Sequence, residues 1–216
     1  MKEYRFSILL VTLMFLLLIY PFLDHFKLTG LTLLLNVFTT LILISSVHAV
    51  SENRRQLFLA LSVIVPAIAL GWGHQLLQVK MSQVGATLLQ IIAFSFVGYH
   101  ILRYALRGGR VNAAKIAAAV CVYQLIGVVW QDFYALLDIF ITGSFNSALL
   151  TGKDFLYFSF ITLSTLGYGD ITPVIGPARA LAYTEALIGQ LYLTILVARL
   201  VGLYIAHADS DGSGDD

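Results

Sequence analysis

Residues 165–170 of this 216-residue chain read Thr-Leu-Gly-Tyr-Gly-Asp, with Pro173 just beyond. Gly167 and Gly169, one residue apart, follow an apolar and aromatic piece. Such a loop can do chemistry with its main-chain atoms. Glycine reaches positive φ at little cost, and a backbone that visits such dihedrals can turn successive carbonyls towards one axis. Moving a bare ion into a low-dielectric medium costs ~20 kcal/mol by the idealised Born estimate. Oxygens that replace the lost water shell offset that cost. A second residue with chemical potential is Glu185, a carboxyl inside an apolar run. Such a group is expensive and is a functional hypothesis by default. It can brace a neighbouring helix or bias cations; the alternative is a protonated or hydrogen-bonded packing residue. No metal-spaced His/Cys cluster or nucleophile constellation accompanies these residues, so an enzyme finds no support.

The elements that must position them are membrane spans. The chain is 59% apolar and 12% charged, and ordinary globular domains carry about twice that charged fraction. A span needs about 20 predominantly apolar residues. Phe6–Leu23, Gly30–Val50, Leu57–Leu77, Val84–Leu106, Ala113–Trp130 and Ala178–Ala206 qualify, the fifth continuing past Trp130. The first follows Lys2 and Arg5 and is longer than a signal-peptide core, with no small-residue cleavage site after it. It reads as a retained span. Phe155–Leu166 rises only about 18 Å as a helix, too short to cross, so it must enter and return. Thr151 caps it, with Asp154 favouring its positive end. Lys and Arg placement puts both termini in the cytoplasm.

Net charge is +1, and no basic block suggests nucleic acid. The single cysteine, Cys121, reads as a packing residue. Gly108-Gly109 breaks the helical pattern between the fourth and fifth spans. Three parts are therefore expected: a four-helix module (1–107), a two-span part with the re-entrant loop (108–207) and a disordered acidic tail (208–216). With so short a tail, no soluble regulatory domain is expected after the last span.

The stretch TGKDFLYFSFITLSTLGYGDITP, which starts at Thr151, closely resembles the pore signature of potassium channels, whose most familiar form has Val where this chain has Leu166. The resemblance implies an all-helical membrane protein that forms a homotetramer in the lipid bilayer and conducts potassium (K+). It needs no other cofactor. The carbonyls of Thr165, Leu166, Gly167 and Tyr168, with the Thr165 hydroxyl, would form the stacked ion sites, and Gly169 would complete the filter. It also implies that Tyr157 and Phe158 cuff the filter, with Tyr157 donating to Asp170. Some relatives place a glutamate four residues before the filter threonine; Ile161 stands there, so that carboxyl pair is missing. Thr162 and Ser164 are candidates for bonds behind the filter, with helix back-bonding as the alternative.

In the sixth span, Gly189 is either a hinge or a site of close packing. By resemblance, Leu193, Val197, Val201 and Ile205 line the inner pore, and Val201 and Ile205 could form an apolar constriction. Arg199 is expected to snorkel to the inner interface. The first four spans resemble a voltage-sensor module without its charges: Val84–Tyr99 carries no Lys or Arg. Strong voltage gating is therefore not expected, and His48, His74 and His100 read as interfacial or packed. Brevity suggests a bacterial plasma membrane. The rivals are a weakly selective cation channel and a non-conducting subunit that modulates another channel.

Overall fold

The computed structural model describes residues 3–25, 37, 39–44, 54–77, 80–108, 112–147 and 150–212. Among these the elements are α1 (Glu3–His25), α2 (Arg54–Leu77), α3 (Lys80–Ala105), α4 (Ala113–Phe140), α5 (Gly152–Leu163) and α6 (Gly176–Gly212). Ser82–Ala105, Ala113–Phe140 and Gly176–Leu203 are long and apolar enough to cross a membrane. Phe6–Phe15 and Ala60–Gly73 are shorter apolar stretches within α1 and α2. Of the expected span Gly30–Val50, residues 37 and 39–44 are helical and the rest, with His48, lies outside the described residues. The side chains of His74 and Ile205 also lie outside them.

Helix α4 is the hub of the molecule. α1, α3, α5 and α6 pack on it, and α2 packs on α3. Its alanines 117, 118 and 119 are buried, as are Cys121 and Leu125, against Leu9, Leu13, Val97 and Ile101. Between apolar spans there is little hydrophobic driving force, so close van der Waals contact through small residues must hold them together. Cys121 is such a contact, its thiol directed at the Phe6 carbonyl (3.7 Å).

Local chemistry sets where α4 begins. The Asn112 side chain accepts the Lys115 N–H at 3.0 Å, which satisfies one of the unpaired donors of the first turn. The Lys115 ammonium donates to the carbonyls of Arg107 and Gly108, both at 3.1 Å. A cation on carbonyls just beyond a helix end is electrostatically favourable, and here it locks the Gly108 break into one geometry. α3 and α4 are therefore joined by direct packing as well as by the linker.

One boundary agrees with expectation and one differs. α4 continues past Trp130 to Phe140, since the polar pair Gln131 and Asp132 interrupts the hydropathy signal but not the helix. Asp132 is buried and accepts from Gln131 at 3.4 Å. α6 continues to Gly212, into the segment expected to be an unstructured tail. Extending an existing helix adds one hydrogen bond per residue fixed, whereas starting one is costly.

The packing of α4 on α5 is close at Gly127, where a Cβ would lie 2.8 Å from the ring of Phe160. Gly127→Val should destabilise the fold by about 1–3 kcal/mol through overpacking. Thermal unfolding in detergent checks this, and an unchanged midpoint would count against such tight packing.

Candidate functional site

α5 is a short helix with a defined start. The Asp154 carboxylate accepts both the N–H (2.8 Å) and the hydroxyl (2.7 Å) of Thr151, as the sequence suggested for a cap with an acidic first turn. Its other end builds the site. The Thr165 N–H donates to the Thr162 carbonyl (2.9 Å), and the N–H groups of Leu166 and Gly167 both donate to the Ile161 carbonyl (2.8 and 3.1 Å). In a trans peptide the C=O points opposite to the N–H. The carbonyls of Thr165 and Leu166 therefore both point away from α5, side by side. That is the arrangement a ring of main-chain ligands requires.

The dihedrals carry the same signature. Positive φ occurs at Thr165 (58°), Gly167 (53°) and Gly169 (80°), and not at Leu166 or Tyr168 between them. Nothing lies within 4 Å of a Cβ added at Gly167 or Gly169, so these glycines are needed for their backbone conformation and not for space. Thr165 was not expected in this region. A β-branched residue there is an outlier whose cost is of order 1–3 kcal/mol. It is held from two sides, by its N–H bond to Thr162 and by Gln190 of α6, which donates to its hydroxyl oxygen at 3.1 Å. No spacing rule connects residues on two helices, so the sequence does not link Gln190 to the loop.

After Gly169 the chain is clamped by the loop that precedes α5. Asn146 N–H donates to the Thr172 carbonyl (3.0 Å), Val174 N–H to the Ser144 carbonyl (2.9 Å), and the Asn146 amide bonds the Asp170 carbonyl (3.0 Å) and the Thr172 N–H (2.9 Å). Phe145 and Pro173 form an antiparallel bridge. Asn146 carries no sequence signal that would single it out.

The expected supporting residues divide. The Tyr157 hydroxyl donates to the Asp170 carboxylate. Phe158 instead turns to α4 and the preceding loop, edge-on to Tyr134 (4.9 Å) and Phe145 (5.3 Å). There it stabilises α5 from behind. Thr162 contributes its carbonyl, and the Ser164 hydroxyl back-bonds to the Phe160 carbonyl at 2.7 Å. Glu185 has no exposed surface; Tyr134 and Ser159 each lie 2.5 Å from one of its oxygens.

α6 runs unbroken through Gly189. There a Cβ would sit 2.3 Å from the Leu163 carbonyl oxygen, which also accepts the Tyr123 hydroxyl at 3.3 Å. The structure thus exhibits the close-packing role of Gly189: the end of α5 rests on α6. Leu193, Val197 and Val201 are exposed along α6, and Arg199 donates to the Leu106 carbonyl.

Residues 118–205 match the family model described as ion channel. This stretch is similar to ion channels. Protein LctB of Bacillus caldotenax and that of Geobacillus stearothermophilus are each 47% identical over 49 residues, 23% of this chain and 36% of theirs. Two pore potassium channel c of Oryza sativa subsp. japonica is 38% identical over 82 residues, 37% of this chain and 16% of that protein. The chain thus spans about a third of the LctB proteins it matches. No solved structure matches it.

Gly189→Ala should destabilise the fold by about 1–3 kcal/mol or more, because the opposing atom is backbone and cannot rotate away; the unfolding midpoint in detergent reports it. The hydrogen bond from Tyr157 is the main cause that holds the exposed Asp170 carboxyl below its ordinary 3.8, while desolvation and then that bond push the Tyr157 hydroxyl up to about 12. For a carboxyl with a lowered folded value, the stabilisation is present above the unfolded value and is lost as the pH falls through the folded one. Tyr157→Phe should therefore move the Asp170 midpoint upwards in an NMR titration, and an unmoved midpoint would remove Tyr157 as the cause.

Proposed function

We propose that the chain is the subunit of a homotetrameric potassium-selective channel, and that Thr165–Gly169 is its filter. The observation that carries this reading is the shared direction of the Thr165 and Leu166 carbonyls, set by two N–H groups that converge on Ile161. One loop supplies only part of a coordination shell, so several copies must meet on an axis. Unpartnered apolar surface supports that assembly. Leu166 and Tyr168 are 56% and 68% exposed, and Tyr183, Leu187, Leu191 and Ile195 are exposed along α6. α5 is too short to cross a bilayer and is covered by α4 and α6, as a re-entrant element must be. Its carbonyl end carries partial negative charge and would favour a cation below the filter.

The resident charge pattern argues for a pore that responds little to voltage. In α3 the basic residue of the last turn is Arg103, which lies 5.8 Å from the Tyr99 ring centroid at the end of the apolar stretch. Six spans, cytoplasmic termini, a bending role for Gly189 and an inner constriction near Val201 belong to the same proposal. The match to an ion channel model over residues 118–205 and the likeness to a protein named as a potassium channel support it.

The purified chain reconstituted in liposomes should pass potassium in preference to sodium. Gly167→Asp should abolish that flux, because a side chain at a positive-φ position in the carbonyl row misdirects the oxygens. Potassium flux that persists in this variant would overturn the filter assignment, and equal sodium flux in the unaltered chain would favour a weakly selective channel.

A further inference from the structure

Glu185, Ser159 and Tyr134 have no exposed surface and lie on three different helices, α6, α5 and α4. Their oxygens form a chain. Tyr134 Oη lies 2.5 Å from Glu185 Oε2, Glu185 Oε1 lies 2.5 Å from Ser159 Oγ, and Ser159 Oγ lies 2.7 Å from the Gly127 carbonyl oxygen. Three oxygen–oxygen contacts at such distances each need a hydrogen between them. The Gly127 carbonyl has none to give. Tyrosine and serine carry one hydroxyl hydrogen each, which leaves one contact unsupplied unless the carboxyl holds a proton.

We propose that Glu185 is an un-ionised carboxylic acid whose own O–H donates to Ser159, and that it is a positioning residue for the filter. The bonds then run in one direction, from Tyr134 to the Glu185 carbonyl oxygen, from the Glu185 hydroxyl to Ser159, and from Ser159 to Gly127. Every donor on this path has one acceptor. A carboxylate in the same place would leave two oxygens in contact without a hydrogen, and the interactions that reach Glu185 come from two neutral hydroxyls. A buried ion without a compensating partner is strongly disfavoured. Through this clasp α6 and α4 grip α5 four residues before Leu163, whose carbonyl end carries the loop. The proposal rests on the channel reading only in its link to conduction.

Infrared spectroscopy of the full chain in lipid at neutral pH tests the protonation directly. Glu185→Gln should lose a C=O stretching band of an un-ionised carboxylic acid, with no loss of carboxylate bands. Asp132→Asn serves to separate the band of Asp132, a buried carboxyl on α4. Tyr134→Phe should shift the Glu185 band to higher frequency, since it removes the donor to the carbonyl oxygen. Loss of carboxylate bands in Glu185→Gln, or an unshifted band in Tyr134→Phe, would overturn the assignment. In flux measurements Glu185→Gln, which keeps one donor and one acceptor, should conduct, and Glu185→Leu should not; equal flux in the two would remove the positioning role. An unaltered chain that passes no potassium but shows the acid band would refute the channel reading and leave the protonated clasp intact.

Discussion

The Ile161 carbonyl accepts two N–H groups, those of Leu166 and Gly167, and the site depends on that convergence. The last carbonyls of a helix have no partner within it. α5 ends where its freed acceptors can be used by the residues that follow, so the loop folds back on the helix that launched it. Once the N–H groups are spent on that side, the peptide plane leaves the carbonyls no choice but the other. Orientation of these carbonyls is thus a consequence of satisfying donors, and it needs no side chain within the loop. The cost falls on Thr165, whose left-handed backbone is retained because Thr162 and Gln190 hold it.

A loop held this way is only as well placed as its helix. α5 has twelve residues, too few to be stable alone in water, and its position is imposed from outside. Gly127 and Gly189 let two longer helices approach it closely, one at the Phe160 ring and the other at the Leu163 carbonyl. Tyr123 adds a hydroxyl at that same carbonyl. At the other end, the aromatic group of Tyr134, Phe145, Phe155 and Phe158 packs ring against ring at 4.9–5.8 Å, with edge-to-face contacts that favour fixed geometry. Rigid support matters because a carbonyl row loses its use if its oxygens wander.

Much of this was legible in the sequence, for identifiable reasons. The spacing of Gly167 and Gly169, the Thr151–Asp154 cap and the short length of the apolar piece are local features, and local features survive in a linear reading. The bond from Tyr157 to Asp170 was also accessible, through resemblance. Contacts between elements distant in the chain were not. Gln190 on Thr165, Asn146 on Thr172 and Ser159 on Glu185 each join residues whose separation follows no periodicity. Phe158 illustrates the same limit. Its neighbour Tyr157 bonds Asp170, while Phe158, turned from it by about 100° on the helix, packs on Tyr134 and Phe145.

Glu185 brings these strands together. Sequence alone marks it as costly and leaves open whether it bears a charge. Burial deepens the cost, yet burial cannot say how the cost is met. Counting hydrogens does, because each hydroxyl supplies one and a main-chain carbonyl none. The same count explains the choice of Ser159 on α5. A residue there must accept from the acid and donate onward to Gly127, and a hydroxyl does both, whereas an alanine would leave the acid proton without an acceptor. A polar network inside an apolar protein is worth having only when every member is satisfied. Here the network ties together the three helices that together decide where the carbonyl row points.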